Sequence, residues 1–179
     1  MFIESIILHN YRAYRGHNKT SFKPDIKNIF LVAGNNGFGK TTFLTSLVWC
    51  LYGKLMADVD DKFRRDINDA QGYKNYARQS LHKELANAVN AYEVSLEERK
   101  QIVKHGYSSE NEYIKEDSQY YVEIGLTDVF IPSIPCRTIT IRRTYDYFLD
   151  IESVEVLIDG QANELAKEVG YDIFINDFI

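Results

Sequence analysis

Apolar and polar positions follow two different periods along this chain. Tyr120, Val122, Ile124 and Leu126 alternate with Tyr121, Glu123 and Gly125, a period of two that predicts a strand over 120–126. The same alternation runs through 137–145 and again through 154–158. Pro132 and Pro135 separate the first pair, and Asp159-Gly160 closes the last with a turn signal. Strands joined this closely predict antiparallel ladders. Near the start, Ile and Phe over 2–8 predict another strand. His9 to Gly16 interrupts it with polar and aromatic residues, and Thr20-Ser21-Phe22 is predicted to return beside it. After the turn signal Pro24-Asp25, Asn28-Ile29-Phe30-Leu31-Val32-Ala33 is a continuous apolar run. Such runs suit a strand buried on both faces, and this one is expected to share a sheet with 2–8.

Helical spacing takes over elsewhere. Phe43, Leu44, Leu47, Val48 and Leu51 predict an apolar stripe on a helix from Lys40 to Tyr52, with Gly53 ending it. Leu81, Leu85, Ala88, Tyr92 and Leu96 predict one or two helices in a polar stretch, Glu97-Glu98-Arg99-Lys100 forming a solvated face and Gly106-Tyr107-Ser108-Ser109 a loop. Asn163 is placed to cap a closing stretch striped by Leu165, Ala166, Val169, Ile173, Phe174 and Phe178, which Gly170 splits in two. The organisation is one lobe over 1–179, with a core at 1–55, a helical insertion at 56–118, and strands with a closing helix at 119–179.

Composition adds limits. At 179 residues, 45% hydrophobic and 26% charged, the chain can build one real core. No apolar run approaches the ~18 residues of a membrane span, and Met1-Phe2-Ile3-Glu4 lacks a signal-peptide pattern. Cys50 and Cys136 form no disulfide framework or zinc spacing, so both are expected to be reduced core residues of a cytoplasmic protein. The four histidines have no metal-ligand spacing. A net charge of −5 provides no basic field for nucleic acid, so any DNA contact needs a local patch or lies outside this chain.

The candidate chemistry lies in Gly34-Asn35-Asn36-Gly37-Phe38-Gly39-Lys40-Thr41-Thr42. This stretch fills the phosphate-loop pattern G-x-x-x-x-G-K-[ST] at every fixed position, between a predicted strand and a predicted helix. Backbone N–H groups of such a loop curl into a cationic nest, and the helix aims its positive end at the same point. Gly37 and Gly39 supply positive φ and leave room for phosphate oxygens. Lys40 is expected to reach the β- and γ-phosphates of ATP, and the Thr41 hydroxyl to coordinate Mg²⁺.

Further features narrow the class. The loop reads G-x-N-G-x-G-K-T-T; a strand about twenty residues upstream runs into Asn10-Tyr11-Arg12-Ala13-Tyr14; and the loop helix ends Cys50-Leu51-Tyr52-Gly53 before an antiparallel sheet. Together these resemble the N-terminal half of an SMC/RecF/RecN-type ABC ATPase. Within that group Cys50 to Lys54, Ile139 to Tyr145 and Val156 to Gly160 look most like the DndD-like ATPases of DNA phosphorothioation and defence systems. The resemblance implies an α/β P-loop NTPase fold, namely the N-terminal lobe of an ABC-type head with an antiparallel β-subdomain and a helical insertion. It implies a place for Arg12 near the nucleotide, and as partners a C-terminal lobe, a second head, DNA and accessory proteins, with no membrane. An ATP-gated nuclease of the overcoming-lysogenization type is the alternative; a small-molecule kinase is a weaker one, since no lid arginine cluster is evident.

The family's acidic pair after an apolar strand has no counterpart. Val156-Leu157-Ile158-Asp159-Gly160 comes nearest, but glycine stands where the second carboxylate belongs, and Asp159 reads as a turn residue. Gln71, Gln79 and Gln101 fit the family's glutamine loop poorly. Arg64-Arg65 and Arg142-Arg143 are the paired arginines open to a DNA reading, but Arg142 and Arg143 must point to opposite faces of a strand, so one is expected to be a sheet-surface charge. The chain is therefore expected to be an N-terminal portion that binds nucleotide poorly and turns it over negligibly by itself.

Overall fold

In a computed structural model, the described residues are 1–23, 29–100, 118–131 and 136–178. Strands β1 (Phe2–His9), β2 (His17–Ser21), β3 (Gln119–Thr127), β4 (Thr138–Asp146), β5 (Ile151–Ile158) and the two-residue β6 (Gln161–Ala162) make one sheet in the order β2-β1-β3-β4-β5-β6. Every pairing is antiparallel, as the period-two segments predicted. Ile6, Ile124, Ile141 and Val156 lie in one cross-strand row, and Leu126, Ile139 and Ile158 in the next. This alternation puts the apolar set on one face, where those side chains are buried.

That face is covered by helix α1 (Lys40–Tyr52). Its buried side is not the predicted stripe. Thr45, Ser46, Trp49 and Cys50 are buried, Phe43, Leu47, Val48 and Leu51 flank them half-buried, and Leu44 is 55% exposed. Close approach explains the rotation. The small Ser46 and Cys50 let the helix descend until the Cys50 thiol donates to the Val122 carbonyl at 3.3 Å. Burial pushes that thiol up to about 12, so it is an inert core group. Cys136 is half-buried and also free.

The predicted strand over 28–33 does not form among the described residues. Residues 29–33 carry no ladder, and Ile29 and Leu31 are 81% and 90% exposed. Both edges of β1 are already occupied, by β2 and by β3, so the expected neighbour has no free edge to offer. Only Phe30 finds a described aromatic contact, its ring centroid 4.7 Å from that of Phe22.

The insertion holds more helices than the one or two expected: α2 (Met56–Val59), α3 (Asp61–Asp69), α4 (Tyr73–Arg78) and α5 (Lys83–Lys100). Leu81 pairs with Tyr11 in an isolated β-bridge instead of joining a helix, and on α5 Leu85 and Val89 are buried while Ala88 faces out. The expected solvated face at 97–100 concerns side chains outside the described set, as does the loop at 106–109. At the other end, the Asn163 side chain accepts from the Ala166 N–H and caps α6 (Glu164–Val169), and Gly170, at φ 93, divides it from α7 (Tyr171–Phe178).

Arg142 and Arg143 do point to opposite faces. Arg142 lies on the outer face against Glu123. Arg143 is 1% exposed beneath the end of α1. Its Nε donates to the Cys50 carbonyl at 3.0 Å, one Nη to Glu152 at 2.6 Å and the other to Asp172 of α7 at 2.5 Å. Burial works against its charge, and Glu152 and Asp172 more than offset that, holding its pKa above the ordinary arginine value. Glu152 also accepts from the Tyr73 hydroxyl, which in turn accepts from the Trp49 indole N–H at 3.0 Å. Gly53 sits over this cluster at φ +50, where a Cβ would stand 2.4 Å from an Arg143 nitrogen.

Two outcomes are expected. Gly53→Ala combines left-handed backbone with that collision and is predicted to cost about 2 kcal/mol in urea unfolding. In an Arg143→Ala background the same change keeps only the milder 2.9 Å contact with a Glu152 oxygen and is expected to cost less, a coupling that a double-mutant cycle reads directly. Separately, the Asp159 carboxylate accepts from the Arg137 and Thr138 N–H groups, both at 2.9 Å, and these bonds hold its pKa below the usual aspartate value. Its contribution is present above the unfolded aspartate pKa of about 4 and lost as pH falls through the lower folded value. Asp159→Asn is predicted to flatten the acid side of the stability profile below about pH 4.

Candidate phosphate-loop site

The phosphate loop begins where the unpaired run 29–33 ends. Asn36-Gly37 forms a turn, Phe38-Gly39 a bend, and α1 starts at Lys40. Gly37 and Gly39 hold φ 85 and φ 84, conformations that L side chains rarely adopt. Gly39 is the N-cap of α1, and no side chain caps that helix end. The first intrahelical bond there is Phe43 N–H to Gly39 C=O at 2.8 Å. The N–H groups of Lys40, Thr41 and Thr42 precede that bond, so the helix supplies them no acceptor. The first turn also contains no acidic residue. Three outward N–H groups at the positive end of a thirteen-residue helix are a site for an anion.

Side chains extend the cradle. Lys40 Nζ donates to the Gly34 and Asn35 carbonyls at 2.7 and 2.8 Å, folding back over its own loop. Thr41 is exposed at the helix start, and Gly34, Asn35, Asn36, Gly37 and Phe38 are exposed as well. These groups fit a nucleoside triphosphate with Mg²⁺: backbone donors and an ammonium for phosphate oxygens, and one hydroxyl for a cation that takes most of its ligands from phosphate and water.

The loop from Asn10 to Gly16 packs beside this site, and its residues have separate tasks. Asn10, at φ 50, accepts from the Gly16 N–H through its side chain at 2.8 Å and closes the loop. Tyr11 is fully buried, with ring centroids of Trp49 and Tyr120 each 5.6 Å away. Arg12 turns toward the insertion: its Nε donates to Ser80 Oγ at 3.1 Å, and its guanidinium lies 4.8 Å from the Tyr76 ring centre. Tyr14 touches the phosphate loop, donating to the Gly39 carbonyl at 3.3 Å. Tyr14 closes the Asn10–Tyr14 motif of the sequence, where no local signal marks it as a partner of the phosphate loop.

Asp159 is a turn residue here too, at φ 48 between β5 and β6, with its carboxylate committed to the β4 backbone. Among the described residues no group of histidine, cysteine and carboxylate side chains is arranged to hold a metal ion, and no helix is long and apolar enough to cross a membrane.

Gly39→Ala is expected to eliminate ATP binding measured by calorimetry. The new Cβ would meet Tyr14 at 3.1 Å on a backbone at φ +84, so the loop must leave the cradle conformation. Retained affinity would show that the positive φ is dispensable.

Comparison with curated proteins finds no match to this chain. A family profile described as an AAA domain matches residues 5–166, a span that contains the Asn10–Gly16 loop, the phosphate loop, most of β1 and all of β2 to β5. The phosphate loop at 34–42 lies inside the matched span, and the chain belongs to the AAA-domain family of ATPases.

Proposed function

We propose that this chain is the ATP-binding lobe of a two-headed, DNA-associated ATPase of the SMC/RecF/RecN type, closest in kind to the DndD-like proteins of DNA modification and defence. The observation that carries the nucleotide part is the uncapped, acid-free start of α1 with Lys40 folded over its loop. ATP phosphates would replace the Gly34 and Asn35 carbonyls as partners of Lys40, and Mg²⁺ would sit on Thr41. When bound, Mg²⁺ supplies charge neutralisation on the phosphates. Arg12 would have to leave Ser80 to touch phosphate, and that exchange is part of the proposal.

Two observations support a further lobe. Asp159, which directly follows β5, commits its carboxylate to a turn, so it is unavailable as the general base for water. Beside the phosphate loop, Ile29, Phe30, Leu31 and Val32 are exposed on an unpaired segment, a surface suited to strand addition. Hydrolysis in this reading needs a C-terminal lobe and an opposing head, in the cytoplasm, with DNA and accessory proteins engaged by the assembly.

Lys40→Ala is expected to abolish MgATP binding while leaving the circular dichroism spectrum and melting temperature unchanged, because the hydrogen bonds of Lys40 among the described residues go to loop carbonyls. The chain alone is expected to show no ATP turnover above that variant. A general base contributes about 10²- to 10⁴-fold, so robust hydrolysis would place a catalytic carboxylate within these residues and overturn the two-lobe reading.

A further inference from the structure

We propose that Tyr14 is a positioning residue of the phosphate cradle, holding the peptide between Gly39 and Lys40 so that the Lys40 N–H faces the phosphate. This rests on the reading of residues 34–42 as a phosphate loop and adds a residue to it. In a trans peptide the carbonyl of one residue and the N–H of the next point in opposite directions. Fixing the Gly39 carbonyl along the helix therefore fixes the Lys40 N–H outward, toward the anion.

Two donors fix that carbonyl. One is the Phe43 N–H at 2.8 Å, which any helix start provides. The other is the Tyr14 hydroxyl at 3.3 Å, which comes from a loop twenty-five residues away in sequence. The ring adds steric definition: a Cβ on Gly39 would lie 3.1 to 3.2 Å from Tyr14 Oη, Cε2 and Cζ, so the glycine backbone rests against the phenol. Burial raises the Tyr14 pKa above the usual tyrosine value, so the hydroxyl remains a donor at neutral pH.

Tyr14 can act as a brace because its own backbone is held. Its N–H donates to the Tyr11 carbonyl at 2.9 Å, and Tyr11 is wedged between Trp49 and Tyr120. The adjoining Arg12 N–H donates to the Ser80 carbonyl at 2.7 Å, and the His82 N–H donates to the Asn10 carbonyl at 2.8 Å. The loop thus fastens the start of α1 to the α4–α5 junction. Since Trp49 lies near the end of the same helix, Tyr11 and Tyr14 clasp α1 at two levels.

The test compares wild type, Tyr14→Phe, Tyr14→Ala and Lys40→Ala in the full chain, by calorimetric titration with MgATP and with inorganic tripolyphosphate. Tyr14→Phe keeps the ring and loses one hydrogen bond; it is expected to weaken both ligands by the same factor, roughly threefold to tenfold. Tyr14→Ala is expected to weaken both further. Three results would overturn the proposal: unchanged affinity, a loss confined to MgATP (the ring then contacts the base), or fewer sites at unchanged affinity, which is what simple destabilisation produces. Lys40→Ala separates the two levels of the argument. If it still binds tripolyphosphate like wild type, the phosphate-loop reading fails and this proposal with it. If it does not, any failure of the Tyr14 variants falls on Tyr14 alone.

Discussion

A guanidinium buried beneath the last turn of α1 holds together pieces of the chain that are far apart in sequence. Arg143 belongs to β4, yet it bonds the Cys50 carbonyl of α1, Glu152 of β5 and Asp172 of α7. The end of a helix leaves carbonyls without intrahelical partners, and a cation is the favoured group there. A buried charge of this kind is tolerated only when fully paired, so each partner constrains the others. Gly53 follows from that arrangement, because no other residue leaves the guanidinium room. The Trp49–Tyr73–Glu152 chain extends the same network into the insertion.

The consequence for the site is mechanical. A phosphate cradle made of backbone N–H groups works only if the helix presenting them has a fixed axis and rotation. Arg143 fixes the carbonyl end of α1, and close contact between Cys50 and β3 fixes its height above the sheet. The exposed loop at 34–38 can then vary without the helix moving beneath it. Rigid support under an exposed, glycine-rich anion loop is a division of labour that the sheet and its buried arginine make possible.

Much of this was legible in the residue pattern. Alternation found β3, β4 and β5, because each buries one face and exposes the other. The glycines at 37, 39, 53 and 170 marked their turns because positive φ has few other solutions. Asn163 was readable as a cap for the same local reason. What failed was nonlocal. The run 28–33 has the composition of a buried strand, but composition cannot reveal that both edges of β1 are taken. The buried face of α1 was misread because Thr45, Ser46 and Cys50 are small rather than strongly apolar, and proximity of backbones, not hydrophobicity, selected them. Arg143 was rightly separated from Arg142 by strand parity, yet nothing local distinguishes a buried hub from a surface charge. At the site, the loop itself was plain from its spacing, whereas Tyr14 became visible only once the Asn10–Gly16 loop was seen to fold back on Gly39.

The central claim is that the start of α1 and the loop before it receive the phosphates of a nucleotide. The most direct measurement is an amide-resolved NMR titration of the chain with MgATP. The account predicts saturable shifts of the Gly37, Gly39, Lys40, Thr41 and Thr42 amides, larger than those anywhere else. It also predicts that the amides of the open, roughly 410 Å³ recess lined by Arg78, Lys83 and Tyr147 stay in place. Saturable shifts centred on that recess, with the loop amides unmoved, would contradict it.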